Sequence, residues 1–250
     1  LIAFRVESLP AVGSTNDIVR ERAAAGAAEG LVVRAEEQLA GRGRHGRVWR
    51  SPPGNLYASL LFRPERPLAE AATLSLVIGL CLADTIEAVA GPQLAPRLGL
   101  GVKWPNDVLA GDAKIAGILL ENLWAASERP AIVAGLGVNV EMAPEGLPYP
   151  ATTLRALGVE TTPAALLDRL LAQVGADYGR WQAGGFAALR ERWLARARGI
   201  GEAVGVKVGE RTVSGRFVDV DASGHLVLEG PGGLLALNAG ELFFGPEASV

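Results

Sequence analysis

Two lysines and a carboxylate crowd one short stretch of this chain. Lys103-Trp104-Pro105-Asn106-Asp107 is followed, past a turn at Gly111 and Asp112, by Lys114-Ile115-Ala116-Gly117-Ile118-Leu119-Leu120-Glu121. A lysine at a strand start can reach an activated carboxylate and its phosphoryl neighbour and stabilise the charge that develops in an acyl phosphate. Asp107 is placed to hold a metal or to orient an attacking amine, although Pro-Asn-Asp is equally good turn chemistry. Lysine usage sharpens the reading. Of 24 basic residues 21 are arginine, and only Lys103, Lys114 and Lys207 are lysine. A retained lysine suggests a need for a compact ammonium that a guanidinium fork does not imitate, while three chance survivors would give the same count.

A second constellation, Gly41-Arg42-Gly43-Arg44-His45-Gly46-Arg47, alternates glycine with cationic side chains, and residues 38–64 hold five arginines and no carboxylate. Arginine forks suit phosphate oxygens, and glycine lets a backbone come close and donate N–H groups. This predicts an uncompensated positive loop that binds a phosphate or phosphoryl ester. A solvated surface loop, or one that contacts an RNA backbone, would have the same composition. The run lacks the lysine and hydroxyl of a P-loop, and no helix pattern follows Gly46, so the dinucleotide fingerprint is absent too. Trp49 closes the loop and suits a flat or apolar ligand.

In Ala134-Gly135-Leu136-Gly137-Val138-Asn139-Val140, glycines interrupt an apolar strand, which marks close approach by a ligand or a packed helix; Asn139 is its unusual polar member. Ser14-Thr15-Asn16 reads first as a helix start with an oxygen cap, and helix starts also bind polar ligands. His45 and His225 are the only histidines and lie far apart, which gives no support to zinc chemistry or a Ser-His-Asp triad. The metal position is unknown from sequence.

Around these residues the chain is ordinary: 250 residues, 49% hydrophobic, 20% charged, net charge −3. That composition predicts a sizeable core and no global attraction to nucleic acid or anionic membrane. Cys81 has no partner and reads as a buried, inert thiol. The apolar stretch around it ends at Asp84, short of the roughly 20 residues of a membrane span, and the first nine residues lack the order of a secretory signal. A cytoplasmic protein is expected, with no membrane partner. Strands are predicted at 31–35, 56–62, 101–104, 115–121 and 131–140, and helices at 15–25, 68–90, from Pro163, and at 186–198. After residue 200 short strands alternate with glycine-rich turns, closing naturally as a small β-barrel. Two domains follow, 1–200 and 201–250.

Taken in order, Ser14 to Asn16, Gln38 to Arg47, Lys103 to Asp107, Lys114 to Gly117 and Gly135 to Asn139 resemble the biotin protein ligases, and the tail resembles their SH3-like C-terminal domain. The resemblance implies an α/β (α+β) fold with a mixed-sheet, class II synthetase-like catalytic domain. It also implies a two-step reaction: biotin and ATP give biotinyl-5'-AMP and pyrophosphate, with Mg2+ on the polyphosphate, and a lysine of a biotin carboxyl carrier protein domain then displaces AMP. By the same resemblance Ser14, Thr15, Asn16 and Gln38 hold the ring end of biotin. Gly41, Arg42, Gly43, Arg44, Arg47 and Trp49 belong to a loop that closes over the adenylate. Lys114 meets the carboxylate and phosphate, with Lys103 a second cation, and Gly117 and Gly135 allow backbone approach. Asn106 and Asn139 face the nucleotide or metal, and Asp107 assists the carrier lysine. Lys114, Arg44 and Asp107 are the catalytic candidates. Family members that double as repressors carry a DNA-binding domain before the catalytic one; Ser14 lies near the first residue, so no DNA partner is expected. The family often forms homodimers. A lipoate or octanoate ligase is the nearest enzymatic rival, and its Arg-Arg and triple-glycine motifs are absent. A biotin-sensing or RNA-contacting module is the rival from another class.

Overall fold

The computed structural model describes residues 2–123 and 131–244. Trp124 and the last residues of the tail lie outside that range. The first sheet grows from β1 (Arg5–Val12) and β2 (Leu31–Gln38), which pair in parallel and therefore need a crossover, supplied by α1 (Thr15–Ala24). β3 (Leu56–Phe62), β4 (Leu100–Lys103), β5 (Asp107–Ala110), β6 (Ala113–Asn122) and β7 (Ile132–Val138) complete a mixed sheet of order β1-β2-β3-β7-β6-β5-β4. Every residue of β3 and β7 is buried. Central strands covered on both faces read as mainly apolar runs, which is why β3 was predicted to the residue and β7, expected at 131–140, was placed with ends one and two residues too long.

One face is covered by α1, through Val19 and Ala23 against Val33, Leu61 and Val133. The other carries α2 (Leu68–Ala71), α3 (Leu74–Leu98) and α4 (Pro163–Gly184). The expected helix at 68–90 is thus split near Thr73. It breaks at Gly91, whose φ of 73° leaves the helical region, and resumes through Leu98. Residues Ala69–Leu98 are long and apolar enough to cross a membrane by length and composition, longer than the sequence reading allowed, but 67% of their most apolar 18-residue stretch is buried inside the protein. The expected helix at 186–198 also shortens, to a 3-10 turn and α5 (Arg190–Leu194). Beyond it Val102 N–H donates to Arg196 O and Arg198 N–H to Val102 O, so this segment covers the open edge of β4.

Ionic side chains fix the helical layer. Asp177 on α4 is fully buried and accepts from Arg192, Gln173 and Arg180. Arg192 also reaches Asp84, and Arg196 pairs with Asp84 and Glu87 on α3. Burial raises the Asp177 carboxyl's pKa, and its three donors outweigh that to hold it below the ordinary range. Cys81 lies 3.5 Å from Asp177, and burial pushes its thiol well up, as an inert sulfur requires.

The tail forms an antiparallel sheet from β8 (Ala203–Val208), β9 (Arg211–Val220), β10 (Leu226–Gly230), β11 (Gly233–Leu237) and β12 (Glu241–Phe243), in the order β11-β10-β9-β8-β12. β11 and β12 stand at the two ends of that order. Among its contacts with the rest of the chain are one beside β4 and one from α5. Trp104 Nε1 donates to Gly224 O at 3.0 Å, and Arg190 Nε donates to Val220 O at 2.6 Å. His225 sits half-buried before β10 with Nδ1 3.1 Å from Asp221.

Candidate active site

A cavity of about 460 Å³ opens beside β6 and β7, between the loop at 38–50 and the edge of the tail domain. Its polar end is built by the start of α1. Ser14 takes the cap position with extended φ, but its hydroxyl makes no capping bond, contrary to the simplest reading of Ser-Thr-Asn. Gln38 Oε1 accepts from Thr15 N–H at 2.9 Å and from Thr15 Oγ1 at 3.0 Å, while Gln38 Nε2 donates to Ser51 Oγ. Ser59 Oγ lies within 2.7 Å of both Thr15 Oγ1 and Asn16 Oδ1. Asn16 Nδ2 is buried without a partner. A buried amide donor left open is costly unless an acceptor arrives, so this end is built to receive a carbonyl-like oxygen.

The middle of the cavity is set by a β-bulge. β5 and β6 pair Leu109 with Lys114 but Val108 with Ala116, leaving Ile115 extra. Bulges re-aim side chains, and here Lys114 turns inward, 2.7 Å from Asp107 Oδ1 and mostly buried. The turn expected at 105–107 is therefore also the start of a strand. Lys103 lies nearby, 5.7 Å from the Phe244 ring, with its ammonium pKa pulled down by burial.

The arginine loop is not uncompensated, as its sequence window implied. Arg42 makes a two-pronged bond to Asp17, at 2.7 and 2.8 Å, and reaches Glu121 at 3.3 Å. Arg47 pairs with Glu241 at 2.6 Å, and Arg44 donates to Asn106 Oδ1 and Gly240 O, both at 3.1 Å. The bond from Arg42 holds Asp17 below the usual carboxylate range, the bond from Arg47 does the same for Glu241, and burial lowers Arg44. The neutralising carboxylates come from α1, β6 and β12, far away in sequence.

Ser14, Thr15, Asn16, Gln38, Arg42, Gly43, Arg44, Arg47, Trp49, Lys103, Asn106, Asp107, Lys114, Gly117 and Gly135 all line this cavity. Two candidates do not. A Cβ on Gly41 would meet Trp49 O at 2.4 Å, so Gly41 serves the loop's own packing. Asn139 lines a smaller cavity of about 80 Å³ beyond Lys114. The close approaches at the strand glycines are made by side chains: a Cβ on Gly135 would lie 2.2 Å from Asn16 Oδ1, and one on Gly137 2.4 Å from Trp49 Nε1. Sequence reasoning missed Glu241, Leu147 and Tyr149 as lining residues. Among the described residues no group of three or more His, Cys, Asp or Glu is placed to hold a metal ion.

A polar pocket end, a lysine and a carboxylate at mid-cavity and a cover of guanidiniums define an enzyme suited to activating a small acid with a phosphoryl donor. The chain belongs to the biotin/lipoate A/B protein ligase family, whose model matches residues 9–139, and residues 199–245 match the biotin protein ligase C terminal domain. A biotin--[acetyl-CoA-carboxylase] ligase from Paracoccus denitrificans is 41% identical over 223 residues, covering 85% of this chain and 90% of that relative. Among solved structures, biotin protein ligase from Aquifex aeolicus in complex with biotin and ATP superposes with a TM-score of 0.81 at 26% identity, covering 96% and 97% of the two chains. Biotin protein ligase from Leishmania major in complex with biotinyl-5-AMP gives 0.67 at 26% identity, covering 94% and 99%.

Proposed function

We propose that this protein is a biotin protein ligase that works in two half-reactions in the one cavity. A biotin carboxylate oxygen attacks the α-phosphorus of ATP, the bond to the β-phosphate breaks, and pyrophosphate leaves with biotinyl-5'-AMP formed. The amine of a carrier lysine then attacks the acyl carbon, AMP leaves, and the amine sheds a proton. The observation that carries the reading is Asn16 Nδ2, a buried donor without a partner, set beside the Thr15–Gln38 bonds at one end of a cavity whose middle holds Lys114 against Asp107.

In this reading Ser14, Thr15, Asn16 and Gln38 take the ureido end of biotin, and Gly117 and Gly135 keep the strand backbones close to it. Lys114 lies at the carboxylate and α-phosphate, and Lys103 adds a second cation. Arg42, Gly43, Arg44, Arg47 and Trp49 cover the adenylate and keep out water, which would hydrolyse it. Asn106 and Asn139 face the nucleotide, with Asn139 in the smaller cavity. Asp107 orients the incoming amine. Magnesium comes with the polyphosphate, since no group of three or more His, Cys, Asp or Glu among the described residues is placed to hold the ion by itself. Residues 1–200 do the chemistry and 201–250 support the loop.

The carrier is a biotin carboxyl carrier domain of acetyl-CoA carboxylase or another biotin-dependent carboxylase, met in the cytoplasm. DNA is not expected as a partner, given a net charge of −3 and the pairing of Arg42 with Asp17 and of Arg47 with Glu241. The family resemblance allows a homodimer, which sedimentation checks. The deciding experiment incubates the protein with ATP, magnesium and a carrier domain, supplying biotin or lipoate, and weighs the intact carrier. An ATP-dependent gain of one biotinyl group supports the reading; a lipoyl gain, or none, refutes it.

A further inference from the structure

The large and small cavities share a wall made of Val48, Trp49, Lys114, Leu147 and Tyr149. Lys114 is the only charged member of this wall, and its ammonium faces the large cavity in which the acid and the phosphoryl donor meet. Two aromatic rings flank its ammonium: Nζ is 5.3 Å from the centre of the Trp49 ring and 5.6 Å from that of Tyr149. Both distances fall within cation–π range.

The two rings are held differently. Trp49 ends the arginine loop, and its Nε1 is buried without a partner. Tyr149 is tied to the lysine itself. Lys114 N–H donates to Pro150 O at 2.8 Å, Thr152 N–H donates to Lys114 O at 3.0 Å, and Lys114 forms a parallel bridge with Ala151. The residues just after Tyr149 therefore use both backbone hydrogen-bonding groups of Lys114. Any shift of the strand that carries the lysine carries the tyrosine ring with it.

We infer that Tyr149 is a positioning residue for adenylate formation, its ring fixing the Lys114 ammonium at the junction of the two cavities while Asp107 holds it from the other side. This rests on the ligase reading above. The ring matters and the hydroxyl does not.

The test uses the whole protein labelled with 13C-lysine, which gives only three lysine signals, from Lys103, Lys114 and Lys207. Ring currents from two flanking aromatics shift the Lys114 ε-methylene protons upfield of those of Lys207. In Tyr149→Leu that shift shrinks, kcat for biotin-dependent pyrophosphate release falls about tenfold, and KM for biotin stays within about threefold. Tyr149→Phe restores both the shift and the rate. An unmoved Lys114 signal in Tyr149→Leu, an unchanged kcat, or a failure of phenylalanine to restore would overturn the inference. Wild-type protein that releases no pyrophosphate would instead sink the ligase reading, and the ring-current shift would still decide whether Tyr149 holds Lys114.

Discussion

Lys114 stood out in the sequence because arginine had replaced lysine almost everywhere else, and the bulge shows how the chain spends it: one extra residue in β6 turns the ammonium onto Asp107. Removing a charge aimed at a developing anion typically costs about 10²–10³ in rate. Lys114→Ala is therefore expected to lose biotinyl-AMP formation by about that factor, with a lower thermal midpoint because Asp107 is left buried without its cation, as pyrophosphate release and calorimetry would report. Arg44→Ala removes the contacts to Asn106 and Gly240 that hold the loop across the cavity. Its expected signature is free biotinyl-AMP in solution, detectable by chromatography, with adenylate synthesis retained. Gly135→Ala brings a methyl group against the Asn16 amide, so biotin affinity should fall at least tenfold by calorimetry. The glycine pattern announced a close approach. That the approaching groups are Asn16 and Trp49 was not legible, because it depends on the pairing of β6 with β7 and on where the loop folds back.

Strand and helix types were largely readable where burial is two-sided, as in β3 and β7, whose apolar runs leave no ambiguity. β1 was missed. Its exposure alternates irregularly along Arg5–Val12, as suits an edge strand with one neighbour, and no two-residue period survives in its sequence. The loop at 38–50 failed in a different way. A window of sequence shows its arginines, but Asp17, Glu121 and Glu241 come from three other elements. The Arg42–Asp17 pair is about one-third exposed, where ion pairs contribute at most about 1 kcal/mol and are screened by salt. Trypsin cleavage within 42–50 of the ligand-free protein should therefore speed up between 0.05 and ~0.5 M salt. Acid should act only late. Asp17 and Glu241 are held below their usual pKa values, so their pairings persist above the ordinary carboxylate range and weaken only as pH falls through the lowered values. Loop opening followed by Trp49 fluorescence, unchanged on acidification through the ordinary carboxylate range and rising only below it, would match these lowered carboxylates.

At the level of the molecule, the buried Asp177 joins α3, α4 and α5 behind the sheet, and α5 in turn holds the tail domain through Arg190. Breaking a buried pair by removing one partner costs about 3–5 kcal/mol. Asp177→Asn should lose an amount of that order at pH 7, measured by urea unfolding. The wild-type contribution is complete above the unfolded carboxyl's value of 3.8 and fades as pH falls through the lower folded value, so the two proteins should converge in acid. The same whole-molecule view gives the scarcity of lysine a second meaning. An acyl adenylate is an amine acylating agent, and a guanidinium stays protonated and inert to it. A leaking variant would meet three ε-amines of its own, of which Lys103 is half-buried and Lys114 is paired with Asp107, leaving the exposed Lys207 as the open target. Such a variant would tag its neighbours and remain almost blank itself, a labelling reagent with little self-background.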